Sequence, residues 1–161
     1  MKAKRIGLIA FVATLVFVLD RITKAAVVAS LPLYETREIL GPYVRLSHVR
    51  NTGAAFGLAQ DRTTLLSVLS IFAVLAILYY YRTLAMRSPL LAGTLGMQLG
   101  GALGNLVDRL GQGYVVDFID VGFDPGPRFW SFNVADSSIV VGIIAVVGLL
   151  WLSERKETKR A

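Results

Sequence analysis

Four long apolar runs, separated by shorter polar segments, dominate the hydrophobic pattern of the chain. Three of them, residues 63–81, 88–107 and 137–153, contain no charged residue. At about 1.5 Å of rise per residue, such runs can cross the roughly 30 Å hydrocarbon core of a bilayer as helices. The first run, residues 6–27, begins with the uncharged stretch 6–19 and then becomes polar. The pattern predicts four transmembrane helices.

The first run admits a second interpretation. A short apolar stretch that follows basic residues is also typical of a secretory signal, which here would be cleaved near Ala29. Asp20, Arg21 and Lys24, however, fall where a signal peptide normally has apolar or small residues. We therefore interpret residues 6–27 as a retained transmembrane helix.

The distribution of charge predicts the orientation of the helices. Residues 1–5, 82–89 and 153–161 hold nine of the 17 Lys and Arg residues, although they are short segments. Because cytoplasmic segments of membrane proteins are enriched in Lys and Arg, both termini are expected in the cytoplasm. Nine of the 11 Asp and Glu residues lie on the opposite side, so the chemistry is expected to face outwards.

The long outer segment, residues 28–62, contains a predicted β element. Residues 37–40 and 43–49 read as two strands, and Gly41-Pro42 between them is a turn signal. The expected fold is therefore an all-α integral membrane domain, residues 1–161, with a small extracytoplasmic β-sheet.

Composition agrees with a membrane protein and removes several classes of site. Of 161 residues, 55% are hydrophobic, and the mean hydropathy is +0.60, outside the range of ordinary soluble proteins. The net charge of +6 does not indicate nucleic acid as a partner, because the basic residues lie at helix ends. Without Cys, and with His48 as the single histidine, thiolate chemistry, disulfides and multi-histidine metal sites are excluded. No metal or cofactor is expected.

The third run carries glycines at helical spacing. Gly96, Gly100 and Gly104 share one helix face, which therefore lacks side chains and allows close approach of another helix or of a substrate. Helix packing alone is a sufficient explanation of this pattern.

Polar residues follow this glycine face at the outer end of the third helix. Asn105 and Arg109 are four residues apart and share a face if the helix continues. Arg109 suits a phosphate or a carbonyl group, although an arginine that reaches the membrane surface is the simpler interpretation. Asn51, before the second helix, is either a turn residue or a further amide donor at the same level.

Two aspartates are candidates for acid–base chemistry. Asp117 lies between β-branched and aromatic residues, and burial in such surroundings raises the pKa of a carboxyl group. Asp136 opens the fourth helix, where it or Asn133 also has an ordinary role as an N-cap. The topology brings Asp136 to the membrane boundary that holds Asp20, Asn51, Asn105 and Arg109, and Asp117 lies in the outer segment that follows the third helix. Two nearby carboxyl groups can share a proton, one acting as base and the other as acid.

These residues form five ordered motifs that resemble the lipoprotein signal peptidase family, also called signal peptidase II. The motifs are Asp20-Arg21-x-Thr23-Lys24, Asn51-Thr52-Gly53-Ala54-Ala55-Phe56, Gly100-Gly101-Ala102-x-Gly104-Asn105-x-x-Asp108-Arg109, Val115-Val116-Asp117-Phe118 and Phe132-Asn133-x-Ala135-Asp136-Ser137. The resemblance covers the whole chain, and its specificity lies in the order of all five motifs.

The resemblance implies an aspartic endopeptidase with Asp117 and Asp136 as its catalytic dyad. Residues implied to bind the substrate or shape the site are Asp20, Lys24, Asn51, Gly53, Asn105, Arg109, Asn133 and Ala135. It further implies cleavage of diacylglyceryl-modified prolipoproteins on the amino side of the lipidated cysteine, within membrane lipid, and inhibition by globomycin. The implied fold has four transmembrane helices, a β-sheet cradle and a mobile outer helix or loop.

Two other functions compete with the peptidase hypothesis. In a small transporter or ion-translocating subunit, outer Asp and Arg residues would relay protons or ions, but the acids cluster at one interface rather than along a path. In a non-enzymatic assembly protein the glycine face would bind partner helices, and the outer polar residues would have no role.

Overall fold

Helices form most of the structure, a computed structural model that describes residues 2–53, 62–85, 87–123 and 125–158. The elements in chain order are α1 (Lys2–Ser30), β1 (Thr36–Leu40), β2 (Val44–Asn51), α2 (Thr63–Leu84), α3 (Pro89–Gln112), β3 (Val115–Val121) and α4 (Val134–Thr158). Within the described ranges, four helices are long and apolar enough to cross a membrane. The predicted all-α membrane fold with a small β-sheet is confirmed.

Helix α3 is the central element and packs against α1, α2 and α4. Its ends are set by local signals that the hydrophobic pattern does not contain. Ser88 caps the start by accepting a hydrogen bond from the Leu91 backbone N–H at 3.1 Å, and Pro89 occupies the first turn. At the other end, Gly113 adopts the left-handed conformation (φ 80°). The helix therefore extends beyond the uncharged run 88–107 and carries Asp108 and Arg109 on its last turns.

The glycine face of α3 is a packing surface. A Cβ atom on Gly100 would lie 2.5 Å from the Ala13 carbonyl oxygen, and one on Gly96 would lie 2.9 Å from that of Ile9. Gly101 faces α4, where a Cβ atom would lie 2.5 Å from the Ala135 carbonyl oxygen. Both helix contacts are therefore too close for any side chain, as the packing interpretation predicts.

The strands form one antiparallel sheet in the order β1-β2-β3. The predicted pair of strands around Gly41-Pro42 is confirmed as β1 and β2, but β3 was not predicted as a strand. The first four residues of β3 are all buried, so its sequence lacks the alternation that marks a half-exposed strand. In the β2–β3 pair Val49 lies opposite Asp117, and Asn51 lies opposite Val115. The sheet thereby brings the end of β2 next to Asp117.

The close contact at Gly100 yields a stability prediction. Gly100→Ala should destabilise the protein by about 1–3 kcal/mol, because the backbones of α1 and α3 must separate to admit the methyl group. Thermal unfolding in detergent measures the change. Gly93→Ala is the matched control, since a Cβ atom there meets nothing within 4 Å and alanine has the higher helix propensity. Equal melting temperatures for the two variants would contradict this packing.

Candidate active site

Asp136 is held in place by the start of helix α4. Asn133 is the N-cap: its Oδ1 accepts from the Asp136 backbone N–H at 2.9 Å, and the Asn133 backbone N–H donates to Asp136 Oδ2 at 3.2 Å. This reciprocal pair is a capping box. The ordinary capping role of both residues is therefore confirmed, and it fixes the Asp136 carboxyl group at the helix terminus.

Three asparagine amides surround Asp117 and Asp136. Asn51 Nδ2 donates to Asp117 Oδ2 at 2.8 Å, and Asn133 Nδ2 donates to Asp117 Oδ1 at 2.7 Å. Asn105 Nδ2 donates to Asp136 Oδ1 at 2.7 Å. Each oxygen of both carboxyl groups therefore receives one N–H donor from the protein, which fixes the orientation of the pair.

The orientation of Asn51 is itself fixed. Its Oδ1 accepts from the Gly53 backbone N–H at 2.8 Å, so its amide nitrogen must point towards Asp117. Asn51 is thus both a turn residue and an amide donor, and the two interpretations of the sequence hold together.

Burial controls the proton affinity of Asp117. Its side chain lies in β3, and the residue is 2% exposed. The pKa of Asp117 is raised from 3.8 to about 7, mainly by desolvation and to a lesser extent by repulsion from the nearby Asp136 carboxylate. The hydrogen bonds from Asn51 and Asn133 oppose this shift. The Asp117 carboxyl group can therefore exchange a proton near neutral pH.

A buried group of charges lies behind the two aspartates. Lys24 Nζ contacts Asp20 Oδ2 at 2.7 Å and Asp108 Oδ2 at 2.7 Å. Arg21 forms a second ion pair with Asp108. Asp20 Oδ1 also accepts from the Ala135 backbone N–H at 3.0 Å, which ties α1 to the first turn of α4. Removal of one member would leave an uncompensated buried charge.

Arg109 lies on the other side of the pair. Its guanidinium group donates to the Gly53 carbonyl oxygen at 3.3 Å and to Ser70 Oγ at 3.5 Å. Among the described residues its Nε has no hydrogen-bond partner, although it is buried. Arg109 is therefore held within the protein, at the cavity, instead of reaching the membrane surface.

These groups line a cavity of about 340 Å³. Its polar lining comprises Asn51, Arg109, Asp117, Ser131, Asp136 and Ser137. Its apolar lining comprises Val115, Phe129, Trp130, Phe132, Val140 and Val141. Both carboxyl groups therefore face one cavity that also has an apolar wall, as a site for acid–base chemistry on a partly apolar ligand would.

All ten sequence-predicted site residues lie in this region. Asp117 and Asp136 line the cavity with Asn51 and Arg109. The remaining six are within the hydrogen-bond network: Asp20, Lys24, Gly53, Asn105, Asn133 and Ala135. The rest of the second motif, residues 54–56, lies outside the described residues, as do residues 57–61 of the predicted outer segment.

Sequence reasoning missed Asp108 and Arg21 as parts of the site. Asp108 is 2% exposed and pairs with Lys24 and Arg21, which its position next to Arg109 near the end of α3 does not indicate by itself. The spacing of Arg21 and Lys24, three apart on α1, was the available signal that both can face one acid.

Comparisons with known proteins agree on one family. The signal peptidase (SPase) II family matches residues 12–152. A lipoprotein signal peptidase of Syntrophomonas wolfei is 42% identical over 148 residues, which cover 91% of this chain and 95% of that protein. One of Moorella thermoacetica is 40% identical over 141 residues, 87% and 90% of the two chains.

Solved structures support the same relationship. A structure described as a bacterial membrane enzyme, determined by the in meso method at 2.3 Å resolution, superposes with a TM-score of 0.85. Its sequence is 30% identical, and the match covers 92% of this chain and 90% of that chain. A second such structure, at 1.9 Å, gives a TM-score of 0.80 at 30% identity over 90% and 93% of the two chains.

The raised pKa of Asp117 predicts how stability depends on pH. Because the folded protein binds this proton more tightly than the unfolded chain, Asp117 destabilises the fold increasingly as the pH rises from about 4 through 7. Asp117→Asn removes this penalty. Its melting temperature should exceed that of the wild type at about pH 8, and the difference should shrink towards about pH 4.

Thermal unfolding in detergent across this pH range tests the prediction. Asp120→Asn, in the same strand, is the control, because Asp120 is paired with Arg128 at 2.9 Å instead of facing a second acid. A difference between wild type and Asp117→Asn that does not vary with pH would contradict the assignment.

Proposed function

Because the chain belongs to the signal peptidase II family, we propose that it cleaves diacylglyceryl-modified prolipoproteins on the amino side of the lipidated cysteine. Membership makes it a hydrolase of the aspartic peptidase class that processes lipoprotein precursors. The proposal adds the bond cleaved, the lipid on the substrate and the residues that act, and it replaces the transporter and assembly alternatives.

The observation that carries the proposal is the pairing of Asp117 and Asp136 in one cavity. Asn133 contacts both carboxyl groups: its side chain donates to Asp117 and its backbone N–H donates to Asp136. Like charges at short range oppose double ionisation, so the pair holds one proton over a broad pH range. A singly protonated pair offers a base and an acid at the same time.

The pair suffices for hydrolysis without a covalent enzyme intermediate. The ionised carboxylate takes a proton from a water molecule as the water oxygen attacks the scissile carbonyl carbon. The protonated carboxyl group donates a hydrogen bond to the carbonyl oxygen and polarises it. When the C–N bond breaks, a proton passes to the departing amine, and the signal peptide leaves with a new carboxylate. No cofactor or metal takes part in this scheme.

The cavity lining suits a substrate that remains attached to lipid. Trp130 and Phe129 are more than half exposed, and Val140 and Val141 extend the apolar surface along α4. The acyl chains can therefore remain in the bilayer while the peptide bond reaches the dyad at its boundary. Arg109 lines the same cavity as the two aspartates and is placed to bind a carbonyl group of the substrate.

The proposed location follows from the charge distribution. Basic residues concentrate at the start of α1 and at the end of α4, the helix ends opposite the aspartate pair. We therefore place both termini in the cytoplasm and the site at the extracytoplasmic face of the bacterial inner membrane. Globomycin is expected to inhibit cleavage by binding at this site.

The dyad assignment is tested by conservative substitution. Asp117→Asn and Asp136→Asn should each lower turnover by about a thousandfold or more, since each removes either the base or the acid. Purified protein in detergent is given a prolipoprotein peptide with a diacylglyceryl-cysteine, and the product amino terminus is read by mass spectrometry.

Asp120→Asn is the control and should retain most of the activity, because Asp120 bonds to Arg128 and Ser47 in the sheet. If both dyad variants are folded and still cleave before the lipidated cysteine, the acids that act lie elsewhere. If the folded wild type does not cleave, the proposed function is wrong.

Arg109 should act in substrate binding. Arg109→Ala is expected to raise KM or lower kcat/KM by roughly tenfold or more, because it removes a charged hydrogen-bond donor from the cavity. Arg128→Ala is the comparison: Arg128 bonds to Asp120 and to the Pro42 carbonyl oxygen, so it supports the sheet. Steady-state kinetics with the lipidated peptide distinguish them, and equal effects would argue against a role of Arg109 at the substrate.

A further inference from the structure

Lys24 is a buried cation that the hydrolytic scheme does not use. The residue is 2% exposed, and its ammonium group contacts three oxygens: Asp20 Oδ2 at 2.7 Å, Asp108 Oδ2 at 2.7 Å and Asn105 Oδ1 at 3.0 Å. An ammonium group has three N–H donors and no acceptor. The Lys24 ammonium group donates hydrogen bonds to Asp20 and Asn105 and forms an ion pair with Asp108, so all three of these partners belong to the protein.

The contact with Asn105 determines which way that amide points. Asn105 Oδ1 accepts from Lys24 and also from Asn133 Nδ2 at 3.3 Å. If the amide were flipped, its NH₂ group would face two donors and its oxygen would face the Asp136 carboxylate. Only the observed orientation lets Asn105 Nδ2 donate to Asp136 Oδ1 at 2.7 Å. Lys24 thus acts on Asp136 through one intervening side chain.

The charges around the site show a second effect of Lys24. Within the described part of the chain, seven charged side chains belong either to the aspartate pair and its cavity or to the ion-pair group around Lys24. They are Asp20, Arg21 and Lys24 on α1, Asp108 and Arg109 on α3, Asp117 on β3, and Asp136 on α4. On β2, Arg50 lies over the Tyr114 ring at 4.6 Å instead. Three cations thus face four carboxyl groups. The group is neutral when one proton resides on a carboxyl group, and Asp20 and Asp108 are already paired with cations.

We propose that Lys24 is the positioning residue of the aspartate pair: it turns the Asn105 amide towards Asp136 and supplies the positive charge that leaves one of the two carboxyl groups ionised at neutral pH. This inference rests on the proposed function for its activity readout. Lys24 does not touch the reacting atoms in this account. Its removal leaves the negative charges in excess, so the pair binds its second proton more readily and the base is lost.

The experiment compares the pH–activity profiles of two variants, one of which loses a positive charge near the aspartate pair and the other a negative charge. The acid limb is the low-pH side of the profile, where kcat falls because the carboxylate that acts as base becomes protonated. Lys24→Met should move this limb to higher pH by about 1 unit or more, because loss of a nearby positive charge raises the pKa of a carboxyl group by about that amount. Asp108→Asn leaves an excess of positive charge and should move the same limb to lower pH. The double variant restores neutrality, and its limb should return towards that of the wild type.

Measuring kcat and KM separately distinguishes a positioning role of Lys24 from a mere loss of folded protein. In Lys24→Met and in the double variant, kcat at the plateau should fall roughly tenfold or more with KM nearly unchanged, since the Asn105 amide then keeps only the longer contact, from Asn133 at 3.3 Å, to hold its orientation. Lys156→Met, an exposed lysine in the last turns of α4, is the control and should change neither. A structural role alone would lower the amount of active enzyme and leave the pH limb in place.

Each outcome decides the proposal. If the acid limb stays fixed in folded Lys24→Met, or if Asp108→Asn shifts it in the same direction, the proposal is wrong. If Lys24→Met does not fold, the Asp108→Asn single variant and the charge-balanced double variant still give different expectations: a limb at lower pH for the first and a limb near that of the wild type for the second. Their identical profiles would overturn it.

Failure of the proposed function is recognised separately. If the wild type does not cleave the lipidated peptide, infrared titration replaces activity, with the Asp117 carboxyl band identified by its loss in Asp117→Asn. That band should titrate at higher pH in Lys24→Met and at lower pH in Asp108→Asn. An unmoved band would contradict the role of Lys24 whatever reaction the protein performs.

Discussion

The placement of two carboxyl groups in one cavity, Asp117 buried and Asp136 half-buried, is the constraint on which the rest of the structure depends. Desolvation and mutual repulsion both disfavour their charged forms, so the fold must supply compensating donors. The direct side-chain donors to the pair are the amides of Asn51, Asn105 and Asn133, not cations. Lys24 contacts the Asn105 amide, and Arg109 lines the same cavity. Amide donors fix the geometry of the pair and leave it able to exchange a proton.

The membrane helices serve this pair by bringing their polar ends together. The glycines of α3 let α1 and α4 approach its backbone, which places Asp20 against the first turn of α4 through the Ala135 N–H. Because the capping box joins Asn133 and Asp136 at the first turn of α4, formation of that helix also fixes the position of the Asp136 carboxyl group. Asp117 comes from the sheet, whose register with β2 sets its contact with Asn51.

The sequence predicted most of this arrangement because its signals are local or follow from topology. Uncharged runs mark the helices, and four spans force the polar ends onto two sides, which was enough to group Asp20, Asn51, Asn105 and Asp136. Strand β3 escaped prediction because a strand buried on both faces shows no alternation. The partners of Lys24 depend on how α1 and α3 rotate against each other, and that rotation is determined by backbone contacts at Gly96 and Gly100.

The central claim is that the aspartate pair activates water directly. A single turnover with the lipidated peptide, in water enriched in the heavy oxygen isotope, tests it most directly. The account predicts one heavy oxygen in the new carboxylate of the released signal peptide and none in Asp117 or Asp136, as read by mass spectrometry. Heavy oxygen in either aspartate, with unlabelled peptide product, would show a covalent intermediate and contradict the account.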